Sequence, residues 1–403
     1  MDYFKLMPQH KQARAAKKID VIMRLEEITR TVYLDAGQDT AEDRAYMDAA
    51  TSEEPAQDGR QIFFGELHGH TFLSDGHLEP EEYFAKMRQR FDFCALTDHD
   101  HGGLWKDTLY TEKWKRLQEL VASCYEPGVF TTLLAYERDS YPWYDNMCVY
   151  FRDQKSDILE CAVRGETTAE ELEQWLARED LFIAPHDMNR LTCSTDFTNR
   201  PRSLMPHGME IYSRGDCAEY FDHPLNVLSS VRGGSLQEAL AAGAHLAVYA
   251  GSDDHYGMNG LDLPEKGFPE RYPGMTGVWA KENTVEGIFE ALRGRHTYGF
   301  MGPERIVVDF RVNDQRMGSV ITEPVESPHR KIYFSVESKI APKKITVVKN
   351  NRDYYVSRKE FNDSCVFIDY ERQHLEDWYY LRVELEDGRM AWTSPCWVKA
   401  SAV

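Results

Sequence analysis

Residues 63–100 carry two sets of side chains able to hold a metal ion. An apolar run ends in Gly65-Glu66-Leu67 and is followed by His68-Gly69-His70. Two histidines one residue apart at a strand end point to the same side, because side chains alternate with period two, and both imidazoles then reach one ion. Asp75-Gly76 follows as an acid on a tight turn. A second apolar run, Phe91 to Leu96, ends in Thr97-Asp98-His99-Asp100. The same grammar returns downstream in Tyr136-Glu137-Arg138, in Pro185-His186-Asp187 and in Gly251-Ser252-Asp253-Asp254-His255. A single histidine is more often structural than functional. Eight imidazoles and carboxylates at strand ends (His68, His70, Asp75, His99, Glu137, His186, Asp253 and His255) are a ligand set. Mixed nitrogen and carboxylate donors suit two or three divalent ions such as Zn, Mn or Fe, and not an all-oxygen Ca²⁺ cage. Clustered ions of that kind carry hydrolysis with a metal-bridging hydroxide.

The elements that must position these groups alternate. After His70, Pro80 opens a helix with Tyr83, Phe84, Met87 and Phe91 at helical spacing. Thr111 to Tyr125 reads as a helix with Trp114, Leu117, Leu120 and Val121 inward, and Val129 to Ala135 as a buried strand. Met147 to Phe151 is a short strand. Thr168 to Arg178 is a helix opened by a capping box, Thr168 with Glu171. Strands follow at Leu181–Ala184, Gly208–Tyr212 (carrying Glu210) and His245–Ala250, with helices at Ser235–Ala242 and Thr284–Arg293. The Gly/Pro-rich stretch Gly257 to Gly277 is long enough for a lid. Ligands at the C-terminal ends of parallel strands favour a TIM-like barrel over a doubly wound open sheet.

From about Arg305 the texture changes to alternating runs, 307–312, 331–336, 344–348, 365–370 and 379–383, separated by turn residues. The expectation is three parts: a helical and polar leader (1–60), a metal-binding α/β barrel (61–303) and an all-β, sandwich-like region (304–403). No Pro/Ser-rich tether joins the last two, so they should share a packed interface. Tyr354, Tyr355, Trp378, Tyr379 and Tyr380 are either its core or a surface for a carbohydrate or partner.

The strings LHGHTFLSDG, ALTDHD, AYE, APHD and GSDDH resemble the PHP (polymerase and histidinol phosphatase) superfamily of metal-dependent phosphoesterases, from Glu66 through Tyr298. The resemblance implies a distorted (β/α)7 barrel and three metal positions. His68, His70, Glu137 and Asp253 would hold the first. Glu137 would bridge to the second with His186. Asp75, His99 and His255 would hold the third. One departure stands out: where relatives commonly offer the second ion a histidine, this chain has Asn146. Candidate phosphate contacts are Arg138, Arg190, Arg214, Arg295 and His296, and candidate general acids are His77 and His101. The implied activity is hydrolysis of a small phosphorylated metabolite or nucleotide. An amide or lactone hydrolase on the same site, and a non-catalytic scaffold, are the alternatives, since a fold does not fix a function.

Composition narrows the partners. The 403 residues include 47 Lys and Arg against 67 Asp and Glu, a formal charge of −20. A surface of that sign repels polyanions, so a groove for long nucleic acid is not expected. The eight cysteines contain no CxxC pair, as for reduced thiols in a cytoplasmic protein without a membrane span. Oligomeric state is not readable. The expected outcome is turnover of small phosphoesters with little binding to long DNA. Affinity for a long oligonucleotide that falls steeply with salt, as for many phosphate contacts, would contradict it.

Overall fold

The computed structural model describes residues 58–100, 112–138, 146–159, 167–186, 188–189, 194–213, 216–226, 230–257, 272–324, 328–358 and 364–401. The leader expected over 1–60 therefore lies almost wholly outside the described residues, as does 258–271 of the expected lid. The rest is a mixed α/β chain, rich in strands, with five α-helices among the described residues.

The first part runs β1 (Gln61–Glu66), α1 (Pro80–Arg88), β2 (Phe93–Leu96), α2 (Glu112–Cys124), β3 (Thr131–Arg138), β4 (Met147–Phe151), α3 (Ala169–Leu176), β5 (Leu181–Pro185), β6 (Gly208–Ser213), β7 (Asp216–Cys217), α4 (Leu236–Ala241), β8 (Ala247–Ala250), β9 (Gly274–Ala280), α5 (Val285–Arg293) and β10 (Thr297–Met301). The helices form where local chemistry closes their ends. Pro80, whose ring presets the helical φ, starts α1, with Glu81 and Glu82 in the first turn and Lys86 and Arg88 in the last, matching the helix dipole. The capping box of α3 is present as expected, Thr168 accepting from the Glu171 amide. Ser235 and Glu238 build a second one on α4. Each helix buries one face, Tyr83, Phe84 and Met87 on α1 and Trp114, Leu117 and Val121 on α2.

Strand direction sets the geometry. β1, β2 and β3 pair in parallel. β4 runs backward, antiparallel to both β3 and β5, so the start of β4 lies at the same end as the finish of β3 and β5. β6 and β8 pair in parallel. β9, which begins at Gly274 inside the stretch read as a lid, runs antiparallel to β1 and to β10. The His207 amide donates to Ile183 O (2.9 Å) and links β5 to the start of β6. Thr297 Oγ1 donates to Val248 O (2.8 Å) and Thr276 Oγ1 to Ala250 O (2.6 Å), linking β8 to β10 and β9.

The second part contains β11 (Ile306–Val312), β12 (Gln315–Arg316), β13 (Val320–Glu323), β14 (Arg330–Ser338), β15 (Pro342–Lys349), β16 (Arg352–Arg358), β17 (Ser364–Asp369), β18 (Glu376–Leu385), β19 (Met390–Thr393) and β20 (Cys396–Ala400). β12-β11-β14-β17 form one sheet. Its Val308, Phe310, Ile332 and Phe334 share a core with Val347, Leu381 and Val383 of the strands opposite. Tyr379 and Tyr380 are wholly buried, so they belong to the core and not to a binding surface. β19 pairs with β10, making one sheet continuous across both parts. The buried Glu219 carboxylate accepts from Tyr380 Oη (2.7 Å), Arg382 Nε (2.7 Å) and Trp392 Nε1 (2.8 Å), adding a charged clasp to that seam.

His207 at the β5–β6 junction is held neutral. Its Nδ1 accepts the Ile183 amide (3.0 Å), while Nε2 donates to Leu176 O (2.9 Å). Burial first, and then Arg293, lower its pKa to about 4. Above the ordinary imidazole range neither folded nor unfolded chain carries this proton. As pH falls toward 4 only the unfolded chain takes it up, and stability is lost, by up to about 3 kcal/mol. Denaturant unfolding at pH 7.5 and pH 4.5 should show a smaller pH-dependent loss in His207→Gln than in wild type. Equal losses would count against His207 as a source of the acid sensitivity.

Candidate metal centre

All the ligand-type groups at the strand ends meet at one rim. The loops continue the ladder past the strands. The His70 amide donates to Asp254 O (2.9 Å), the Asp253 amide to His68 O (3.0 Å), the Thr97 amide to Gly69 O (3.0 Å) and the Glu137 amide to Asp98 O (3.1 Å). Asp98 Oδ1 takes the Thr71 amide (2.8 Å) and Oδ2 the Thr71 hydroxyl (2.7 Å), holding the turn toward Asp75. Two glycines permit the close approach. A Cβ on Gly76 would lie 2.3 Å from His70 O, and one on Gly251 would lie 2.5 Å from His68 Cβ. Asp253 itself adopts the left-handed region, φ 49°, which Asp tolerates better than most residues.

Around the first implied position, His68 Nε2 and His70 Nε2 are 3.2 Å apart. Glu137 Oε2 lies 3.3 Å from the former and 3.2 Å from the latter. Asp253 Oδ1 lies 3.5 and 3.1 Å from the same two nitrogens. Donors bonded tetrahedrally to one ion at 2.0–2.1 Å sit about 3.3 Å from each other. The four donors are thus spaced as ligands of one ion. Around the third, Asp75 Oδ1 is 3.5 Å from His99 Nε2 and 3.3 Å from His255 Nε2. His70 Nδ1 also reaches it, at 3.8 Å, and the His70 ring stacks on both His99 and His255. Glu137 connects the positions: Oε2 is 3.3 Å from His99 Nδ1, and Oε1 contacts His186 Nε2. The structure therefore brings together all eight residues singled out in the sequence.

Charge follows from that packing. Burial, the largest influence on Glu137, would raise its pKa, yet His186 and His99 hold it well below the carboxylate range. Asp253 is likewise low, against burial, through His68, His70 and His255. For His68 burial would lower the pKa, but Cys148, Glu210 and Asp253 together raise it well above the usual imidazole value. The carboxylates and imidazoles of the cluster thus stabilise one another's charged forms against the cost of burial.

The substrate candidates fare differently. Arg138 is fully buried, paired with Asp100, bonded to Thr167 Oγ1 (3.0 Å) and packed over Trp175. Its charge is committed beside the cluster. Arg295 and His296 precede β10, which runs toward the rim, so they sit at the opposite end of the strands. There Arg295 Nε donates to Gly318 O (2.9 Å), and His296 lies between Arg60 Nη2 (3.1 Å) and Met317 O (2.9 Å). Arg190, Arg214 and His101 fall outside the described residues. His77 is exposed at the rim, donates from Nδ1 to His255 O (3.2 Å) and stacks on Tyr256.

Two buried carboxylates at the cluster had no role assigned from the sequence. Glu66 Oε1 accepts the amides of His68 (2.9 Å) and Ser252 (3.0 Å), and burial raises its pKa to about 8. Glu210 Oε2 lies 2.8 Å from His68 Nδ1. The only sequence signal for either was an acid inside an apolar strand.

The chain matches a family described as proteins of unknown function, DUF3604, over residues 79–190 and 259–320. An uncharacterized protein of Chlamydia pneumoniae is 24% identical over 381 residues, 85% of this chain and 58% of that protein. An uncharacterized protein of Chlamydia muridarum is 25% identical over 220 residues, 47% of this chain and 34% of its own length. The chain thus spans 58% of the length of the first of these curated relatives and 34% of the second. Among solved structures, a two-domain protein from Bacteroides vulgatus containing a predicted PHP-like metal-dependent phosphoesterase is 15% identical, with a TM-score of 0.45, over 89% of this chain and all of that one.

Asn146 stands at the start of the backward strand β4, and its carbonyl accepts the His186 amide (3.1 Å). Strand alternation puts its side chain on the face of Cys148, which pairs with Glu137. The implied second position, with Glu137 and His186, would lack an imidazole there. Asn146→His should raise the affinity of the most weakly held ion about tenfold, or about 1.4 kcal/mol. Metal stoichiometry by mass spectrometry after dialysis against a mild chelator reads this out. Identical retention in the two proteins would remove Asn146 from the cluster.

Proposed function

We propose that the chain is a metal-dependent hydrolase, best described as a phosphoesterase that cleaves a small phosphorylated metabolite or nucleotide on a distorted (β/α)7 barrel. The observation that carries the reading is the spacing of the donors of His68, His70, Glu137 and Asp253, 3.1–3.5 Å between those measured, in a site that also gathers Asp75, His99, His186 and His255. The barrel part of the reading is supported by the links from β5 to β6 and from β8 to β9 and β10. The phosphoester part is supported by the motif resemblance.

The donor set fits Zn, Mn or Fe. Bound divalent ions supply an activated water near neutral pH and positive charge against the phosphoryl oxygens. The protein's own groups set the rest. Buried strand ends hold the donors on rigid backbone, and the loop ladder fixes their separation. Arg138, paired with Asp100, stiffens the segment carrying Glu137. At the open side His77 spends Nδ1 on a carbonyl and leaves Nε2 to exchange a proton with a leaving group. The net charge of −20 disfavours long polyanions, which favours small substrates.

The test is the double variant His68→Ala/His70→Ala. Hydrolysis in a panel of small phosphoesters should fall about a thousandfold or more, since metal catalysis supplies several kcal/mol. Bound metal should fall by about one ion per chain or more while circular dichroism is unchanged. Metal content equal to that of wild type would sink the assignment. A wild-type panel that cleaves carboxylic esters or amides but no phosphoester would overturn the substrate class.

A further inference from the structure

We infer that Glu210 is a positioning residue for the cluster: its carboxylate holds His68 in the Nδ1–H form, so that Nε2 faces the ion. This rests on the metal-dependent reading above. Glu210 stands on β6, outside the set of eight, and is 2% exposed. Its Oε2 lies 2.8 Å from His68 Nδ1, on the side of the ring turned away from Glu137 and Asp253. Its Oε1 is buried without a hydrogen-bond partner.

For a ring that binds an ion through Nε2 the chemistry allows one arrangement. An ionised carboxylate only accepts, so Nδ1 must donate. A neutral imidazole then carries its lone pair on Nε2, the atom 3.2 Å from His70 Nε2 and 3.3 Å from Glu137 Oε2. A carboxylate accepting from Nδ1 also makes the imidazole a stronger donor to a cation. Gly251 leaves the room for this contact, since a Cβ there would lie 2.5 Å from His68 Cβ and 3.1 Å from Glu210 Oε2. His68, His186 and Glu210 have ligand atoms close enough to suggest an ion of their own. The ring chemistry argues otherwise: an ion taken on Nδ1 would leave the proton on Nε2, the nitrogen that converges with His70, Glu137 and Asp253.

Glu210→Gln keeps the shape and removes the charge, and Glu210→Ala removes the acceptor. Zn²⁺ alone is the probe, titrated into the metal-free full chain against a competing chelator. Both variants should hold the same number of ions as wild type, with the tightest bound about ten- to a hundredfold more weakly. Nitrogen-15 NMR of the His68 ring in the metal-free chain should show Nδ1 protonated throughout the titration in wild type and a mixture of the two tautomers once the ring is neutral in Glu210→Ala. Circular dichroism of metal-free Glu210→Gln should match wild type, separating positioning from folding. Unchanged affinity and an unchanged His68 tautomer in both variants would overturn the role while leaving the metal reading intact. Loss of a whole ion would make Glu210 a ligand and overturn it too. A wild-type chain that takes up no Zn²⁺ would overturn the metal reading itself.

Discussion

Glu137 is a carboxylate buried on all sides with four imidazoles around it, and the site is built to make that tolerable. Removing an anion from water costs several kcal/mol unless charge and donors replace the lost solvent. His68, His70, His99 and His186 do so from the ends of three different strands. Each imidazole needs its own fixed direction, which explains the second ring of groups: Glu210 on His68, Asp75 by His70, His99 and His255, and the backbone ladder joining the loops. A site with this many buried charges must have its backbone in place before its chemistry.

That backbone depends on strands running both ways. Parallel β1, β2 and β3 deliver His68, His70, His99 and Glu137 at their finishing ends. Backward β4 brings its beginning to the same rim, so Asn146 and His186 become neighbours although 40 residues apart. Backward β9 sends the chain to the far end of the sheet, so β10 starts there with Arg295 and His296. Direction, more than residue type, separates a cation at the cluster from one that pins the opposite face.

The β-rich part is joined to this frame through shared hydrogen bonds. The β10–β19 ladder and the Glu219 clasp tie it to the strands that carry Glu210 and Asp253. Distortion of the second part would be felt along β10 and β6, close to the elements that aim His68.

The candidate donors and their motifs were legible in residue order alone. HGH, TDHD and DDH each place ligand atoms within a few residues, where strand alternation and turn chemistry govern what can meet. The helices closed by Pro80 and by the Thr168 box were legible too, because caps act over one turn. The β-rich tail was legible from period-two alternation. Tertiary structure decided what depends on partners distant in the chain. Only packing shows that Glu210, 142 residues beyond His68, touches its ring, that Arg138 is spent on Asp100, and that His70 Nδ1 approaches Asp75. β9 and β10 were hidden because glycine-rich, short strands look like loop until a neighbour supplies the ladder. Local chemistry names the groups able to bind, and long-range strand pairing decides which of them face one another.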